Sequence, residues 1–258
     1  MRLIFLLIAP LLLLASEIKT TIVDIKGKKA IVNVGEIQRG VSGIVVRKFN
    51  DNHSAIIAEA VVIDYNKKKK MALLGMSKYR GLTQNALPTG NWIPRKGDTV
   101  ILAHGYGSAL LIAPSEDIYN EVKSRIDGIY FSKPSGFATY LSYKGHPTPL
   151  EEDIRNYCAI STVGLLYMYV KDTLFSADCL SMQLLQATYF PLKRKTTQLP
   201  FFSRVNKINA NWFGSGSSKL KKYDPYYLRM IVENNKYSKV LIDYRSEMKK
   251  RANEKKSK

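Results

Sequence analysis

Two cysteines, three histidines, two short glycine runs and a surplus of lysine are the parts of this chain whose types could do chemistry. Cys158 and Cys179 are its only cysteines. In an oxidising compartment an isolated pair forms a disulfide more often than two free thiols, and two buried unpaired thiols are the alternative reading. Closing their loop would stabilise the fold by roughly 3 kcal/mol in the chain-entropy treatment. A nucleophilic cysteine would need His104 or His146 beside Cys158. That conflicts with the spacing of Leu150, Ile154 and Cys158, which puts all three on one helix face and turns the thiol inward. His53, His104 and His146 are scattered, with no HxxxH or CxxC spacing, so no metal site is expected. Gly105-Tyr106-Gly107-Ser108 lacks the third glycine and the following helix of a dinucleotide cradle. Gly214-Ser215-Gly216-Ser217 lacks the Lys-Ser/Thr ending of a P-loop. These residues predict a binding protein with no cofactor and no catalytic site.

The lysines point to a class of partner. Lys and Arg number 40 against 21 acids, a formal net charge of +19. Such a balance suits acidic proteins, phospholipid headgroups, acidic polysaccharides or nucleic acid, while a solvated basic surface is the plainer alternative. The N-terminus narrows the choice. Arg2 precedes an apolar run, Leu3 to Leu14, and Ala15-Ser16 offers small residues just before polar Glu17, the pattern of a cleavable secretory signal. The run is shorter than a membrane span requires and Pro10 interrupts it, so no transmembrane segment is expected once residues 1–15 are removed. No cysteine follows the run, which argues against a lipid-modified N-terminus. The expected location is the periplasm or the outer-membrane and cell surface, where nucleic acid is not the expected partner.

Three modules are expected to follow the signal. Residues 16–113 read as short strands: Ile18–Ile25 and Ala30–Val34 around a turn at Gly27, then Gly43–Phe49, Ser54–Tyr65, Met71–Met76, Thr99–His104 and Ala109–Ala113, a barrel or sandwich pattern. Residues 114–223 are mixed. Ser115 is an N-cap ahead of Ile118, Val122 and Ile126 on one face, and Phe137–Tyr143 predicts a second helix. Thr148-Pro149-Leu150-Glu151 reads as a capping box opening a helix through Cys158. The apolar run Val163–Val170 turns at Lys171-Asp172 into Thr173–Ala177. Residues 191–223 are loop-rich. Residues 224–258 predict one helix from Asp224-Pro225, another over Lys239 to about Lys250, and an exposed, disordered basic tail. The expected fold class is α+β: a β-rich barrel or sandwich-like module, a mixed α/β module, and a helical, basic C-terminal segment.

Beyond these patterns, Val41-Ser42-Gly43, Leu82-Thr83-Gln84-Asn85-Ala86-Leu87-Pro88, Ala109-Leu110-Leu111-Ile112-Ala113-Pro114, Phe137-Ala138-Thr139-Tyr140-Leu141-Ser142-Tyr143, Gly145-His146-Pro147-Thr148-Pro149 and Asn211-Trp212 resemble the plasminogen-binding protein N-terminal domain family. Its members are exported proteins of Helicobacter, Campylobacter, Arcobacter and related bacteria. The likeness runs from about Glu17 to about Tyr227. It implies a non-enzymatic partner of host plasminogen whose determinant is a C-terminal lysine, which places the contact at Lys258. A kringle lysine-binding site pairs an anionic with a cationic centre across an aromatic trough, and a terminal lysine offers an ammonium and a carboxylate on one residue. Lys255 and Lys256 would add long-range attraction that hastens encounter more than it tightens binding. The alternative expectation is a periplasmic structural or adaptor protein whose basic surface contacts anionic envelope polymers.

Overall fold

The computed structural model describes residues 16–81 and 92–256, with side chains through Glu254. The secretory-signal segment 1–15, the Leu82–Pro88 segment and Lys258 lie outside the described residues. The fold is α+β.

Six antiparallel strands close a barrel in the order β1-β2-β5-β4-β3-β6. They are β1 (Ile18–Lys26), β2 (Lys29–Asn33), β3 (Ser42–Lys48), β4 (Ser54–Asn66), β5 (Met71–Ser77) and β6 (Thr99–Leu102). Closure comes from β1 against β6, where Ile18 faces Leu102 and Thr21 faces Thr99. The sequence alternates because the barrel has a filled inside and a wet outside. Ala30 and Val32 of β2, Ala72 and Leu74 of β5, and Ala60 and Val62 of β4 are buried with polar or partly exposed residues between them. The 13 residues of β4 serve two neighbours, and the register slips once on each side, at Val45/Val46 and at Val62/Asp64. Such bulges bend and twist a strand enough for a small barrel to close. At one rim the buried Arg47 guanidinium grips Asp98 through two hydrogen bonds of 2.9 and 2.6 Å, and Arg95 N–H donates to the same carboxylate at 2.8 Å.

The second sheet has the order β11-β10-β9-β7-β8. Strand β7 (Ser108–Ile112) leaves the barrel at the Gly105 turn and pairs in parallel with β8 (Tyr130–Phe131) and β9 (Leu165–Val170). Strands β9, β10 (Thr173–Asp178) and β11 (Leu184–Tyr189) form an antiparallel meander. Every residue of β9 and β10 is buried. The physical reason is cover on both faces: Leu111, Leu165, Tyr167 and Tyr169 join the core shared with the barrel and α1 (Glu116–Ser124), while Ile112, Leu166, Met168 and Val170 pack beneath the remaining helices. A strand buried on two sides reads as an unbroken apolar run.

Those helices are α2 (Pro134–Lys144), α3 (Glu151–Ser161), α4 (Tyr223–Asn234) and α5 (Lys239–Lys256). Ser115 caps α1, accepting from Ile118 N–H at 3.4 Å. The start of α3 differs from the expected capping box. The N-cap is Leu150, and Asp153 Oδ2 accepts from its N–H at 2.8 Å. Thr148 instead donates its hydroxyl to Ser218 O at 2.6 Å. Pro149 fixes the approach, and the carboxylate three residues into the helix does the capping. The tail differs too, for α5 continues as helix to Lys256.

Candidate functional site

The basic end was the leading candidate, and α5 determines how it is presented. Val240, Leu241, Tyr244, Met248 and Arg251 are its buried or half-buried positions, spaced three and four apart along one stripe. That stripe lies on β11 and β10. Leu241 is fully packed, Tyr244 shares a 2.7 Å hydrogen bond with the Thr173 hydroxyl and meets the Phe175 ring edge-on at 5.2 Å, and the Arg251 guanidinium covers the Tyr189 ring at 4.7 Å. Residues 252–254 are then exposed in succession. The helix continues to Lys256. Lys255 and Lys256 occupy its last described turn, and Lys258 follows beyond.

Cys158 and Cys179 are joined, with Cα atoms 6.2 Å apart. Cys158 reaches inward from the last turns of α3, and Cys179 follows directly on β10, so the bond ties the helical layer to the sheet. This removes the thiolate that a nucleophile would need. His104 Nδ1 lies 2.6 Å from Glu17 Oε1, and His146 Nδ1 lies 2.9 Å from Asp153 Oδ2. Each histidine thus orients against a carboxylate of its own. A cleft of about 50 Å³ opens between barrel and sheet, with Glu59, Tyr79, His104 and the disulfide-bonded Cys158 among its walls. Glu59 in that wall is buried and engaged by Arg80, whose N–H and Nε donate at 2.9 and 3.0 Å. Among the described residues, no three His, Cys, Asp or Glu side chains gather to hold a metal ion.

Sequence reasoning missed the polar junction between barrel and sheet. Asp178, fully buried at the end of β10, accepts from Ser42 N–H and Tyr106 O–H at 2.8 Å, and from Leu180 N–H and Ser181 N–H at 3.1 and 2.7 Å. Burial raises its pKa above the ordinary carboxylate value, and these donors pull it part of the way back. The Tyr106 phenol beside it is raised well above its usual value, by burial first and then by the carboxylate. Nearby the chain crosses itself: Gly164 N–H donates to Gly105 O at 2.9 Å, and a Cβ on Gly164 would sit 2.6 Å from the Gly105 carbonyl carbon. No local pattern announces a contact between residues 42, 106 and 178.

Residues 17–231 match the family described as plasminogen-binding protein pgbA N-terminal. Among curated proteins the chain is similar to the plasminogen-binding protein PgbA of two Helicobacter pylori strains. In one it is 29% identical over 204 residues, 78% of this chain and 44% of the relative. In the other it is 28% identical over 211 residues, 81% of this chain and 45% of the relative. The chain therefore spans less than half the length of these relatives. No solved structure matches. The matched region covers the barrel, the mixed sheet and α1–α3, and ends within α4, so α5 and the basic end stand outside it. Among the described residues no helix is long and apolar enough to cross a membrane.

Proposed function

Since this chain belongs to the plasminogen-binding protein pgbA N-terminal family, we propose that it is an exported, non-enzymatic binding protein that captures host plasminogen through Lys258, the last residue of the sequence. The family match over residues 17–231 and the name of both relatives support plasminogen as the partner, while the choice of Lys258, which lies outside the matched region, rests on chemistry. The chemistry suits it as well. A lysine with a free carboxylate presents both charges that a kringle lysine site takes. Residues 252–254, close to that end, are exposed. Lys255 and Lys256 contribute long-range attraction and a faster encounter.

Immobilised plasminogen tests the contact. Deleting Lys258 lowers affinity at least tenfold, and a soluble lysine analogue competes with the intact chain to the same degree. Binding that survives both treatments rejects Lys258 as the contact. The net charge of +19 favours one rival, a periplasmic adaptor whose basic surface contacts anionic envelope polymers. In that case capture falls steeply with salt and ignores both treatments. Export is read from the intact mass of protein recovered outside the cytoplasm, which starts at Ser16 if residues 1–15 are cleaved. Tagging of the C-terminus on whole cells then separates surface from periplasm.

A further inference from the structure

The loop at Trp212 is built to hold two large aromatic rings in solvent. Trp212 is 96% exposed and Phe213 85% exposed, and Tyr143 at the end of α2 is 86% exposed. Exposed rings on a floppy loop would mean little, but this loop is fastened on both sides. On the entry side Asn211 N–H donates to Gly145 O and Asn211 Nδ2 donates to Lys144 O, both at 2.9 Å. On the exit side Thr148 N–H donates to Gly216 O at 3.1 Å, and the Thr148 hydroxyl donates to Ser218 O at 2.6 Å. The turn between α2 and α3 thus clamps residues 211 and 216–218, and Trp212 and Phe213 project from between the clamps. Tyr143 and Lys144 belong to the same turn. The backbone is pinned while the largest apolar side chains are left uncovered, the reverse of what burial alone would select.

The surrounding charge indicates what covers them. Residues 179–223 contain eight Lys or Arg and no Asp or Glu, and residues 128–150, which supply α2 and the clamping turn, also contain no acid. Lys219, Lys221 and Lys222 follow the exit clamp directly, are exposed, and form no ion pair among the described residues. Amphipathic rings beside lysines suit the boundary between water and an anionic bilayer. There Trp and Tyr sit at headgroup depth, and each basic side chain adds attraction to the surface.

We infer that this tip, Trp212, Phe213 and Tyr143 flanked by Lys144, Lys219, Lys221 and Lys222, docks the protein peripherally on an anionic phospholipid surface. The rings enter the headgroup layer while the lysines remain among the phosphates, and the rest of the fold stays in water. This is independent of plasminogen capture and is tested without plasminogen.

The chain has two tryptophans, Trp92 and Trp212, so W92F leaves Trp212 as the sole reporter. Phosphatidylglycerol-containing vesicles shift its emission to shorter wavelength, and lipids brominated near the headgroup quench it, whereas pure phosphatidylcholine vesicles do neither. W212S/F213S lowers partitioning about tenfold or more, and K219Q/K221Q/K222Q lowers it about a hundredfold at low salt. Both variants alter only exposed side chains outside the clamp, so unchanged circular dichroism and Tm accompany the loss. Trp212 emission that stays fixed while the chain sediments with vesicles overturns the inference, because attachment then lies elsewhere. Equal binding to neutral vesicles also overturns it. A blue shift that appears with rising protein concentration in the absence of lipid does so as well, assigning the tip to a second copy of the chain.

Discussion

In the barrel, strands such as β2 and β5 keep one face on the core and one toward water; in the mixed sheet, β9 and β10 are buried on both. The barrel completes its own hydrogen bonding, with β1 and β6 closing the circle and leaving no free edge. The sheet depends on cover supplied from elsewhere. Helices α2–α5 lie on one side, the barrel and α1 on the other, and a disulfide fastens α3 to the end of β10. A self-closing element draws its stability from pairing and packing within itself. A doubly covered sheet draws it also from the elements packed on its two faces, so loss at the junction is felt first in the sheet.

The sharpest way to break that asymmetry is at Asp178. Asp178→Ala leaves two buried donors, Ser42 N–H and Tyr106 O–H, and two part-buried ones, Leu180 N–H and Ser181 N–H, without their acceptor. The expected cost is about 3–5 kcal/mol, since an abandoned buried donor forfeits the solvation it had given up. Urea unfolding measures the total. Native-state hydrogen exchange shows where it falls: β9 and β10 amides lose protection before those of β2 and β5. Equal loss in both regions would mean that barrel and sheet unfold as one unit.

The disulfide comes next in size. Its cysteines are 21 residues apart in sequence, and the double substitution C158A/C179A is expected to destabilise the protein by about 3 kcal/mol. The loss concentrates in α3 and β10, with barrel amides holding their exchange rates. Barrel amides that accelerate equally would show that the bond steadies the whole chain rather than one layer of it.

How well each region was legible in the sequence follows from the same contrast. The barrel strands alternate, and Gly27 and the lysine turn at 67–70 mark where they reverse. The run Val163–Val170 is continuous because both sides of β9 are covered. Cys158 could be placed inward from its helical spacing alone. The segment between β11 and α4 was legible as loop-rich, but its path was not, because it has no period. It gains its shape by lying across other elements: Phe202 N–H reaches Ala113 O, Phe201 stacks on Phe137 at 5.3 Å, and Asn209 N–H reaches the Ser142 hydroxyl. Asp178 was silent for a related reason. An aspartate closing a hairpin strand looks like any turn residue until Ser42 and Tyr106 are brought to it. The polar face of α5 gave no sign that the helix would continue, since the stripe that docks it includes Tyr244 and Arg251, which bury their stems and rings while keeping polar tips.

The smallest effect expected is also the one that separates the two regions by sign. Burial works against ionised Asp98, but the Arg47 guanidinium, the Arg95 N–H and the charges of both arginines outweigh it and hold its pKa below the ordinary carboxylate value. A depressed carboxylate contributes stability that is present above the unfolded value near 3.9 and is lost as pH falls through the folded one. Each unit of depression corresponds to about 1.4 kcal/mol. The gap in urea stability between wild type and D98N therefore narrows as pH falls below about 4. At Asp178 burial leads and raises the pKa, so the folded state holds the proton more tightly than the unfolded chain. Its contribution grows as pH falls from the raised folded value toward about 4, so the gap between wild type and D178N widens above the range in which the other narrows. Two gaps that move together with pH would remove the distinction between a barrel rim organised around a charge pair and a junction organised around a buried acceptor.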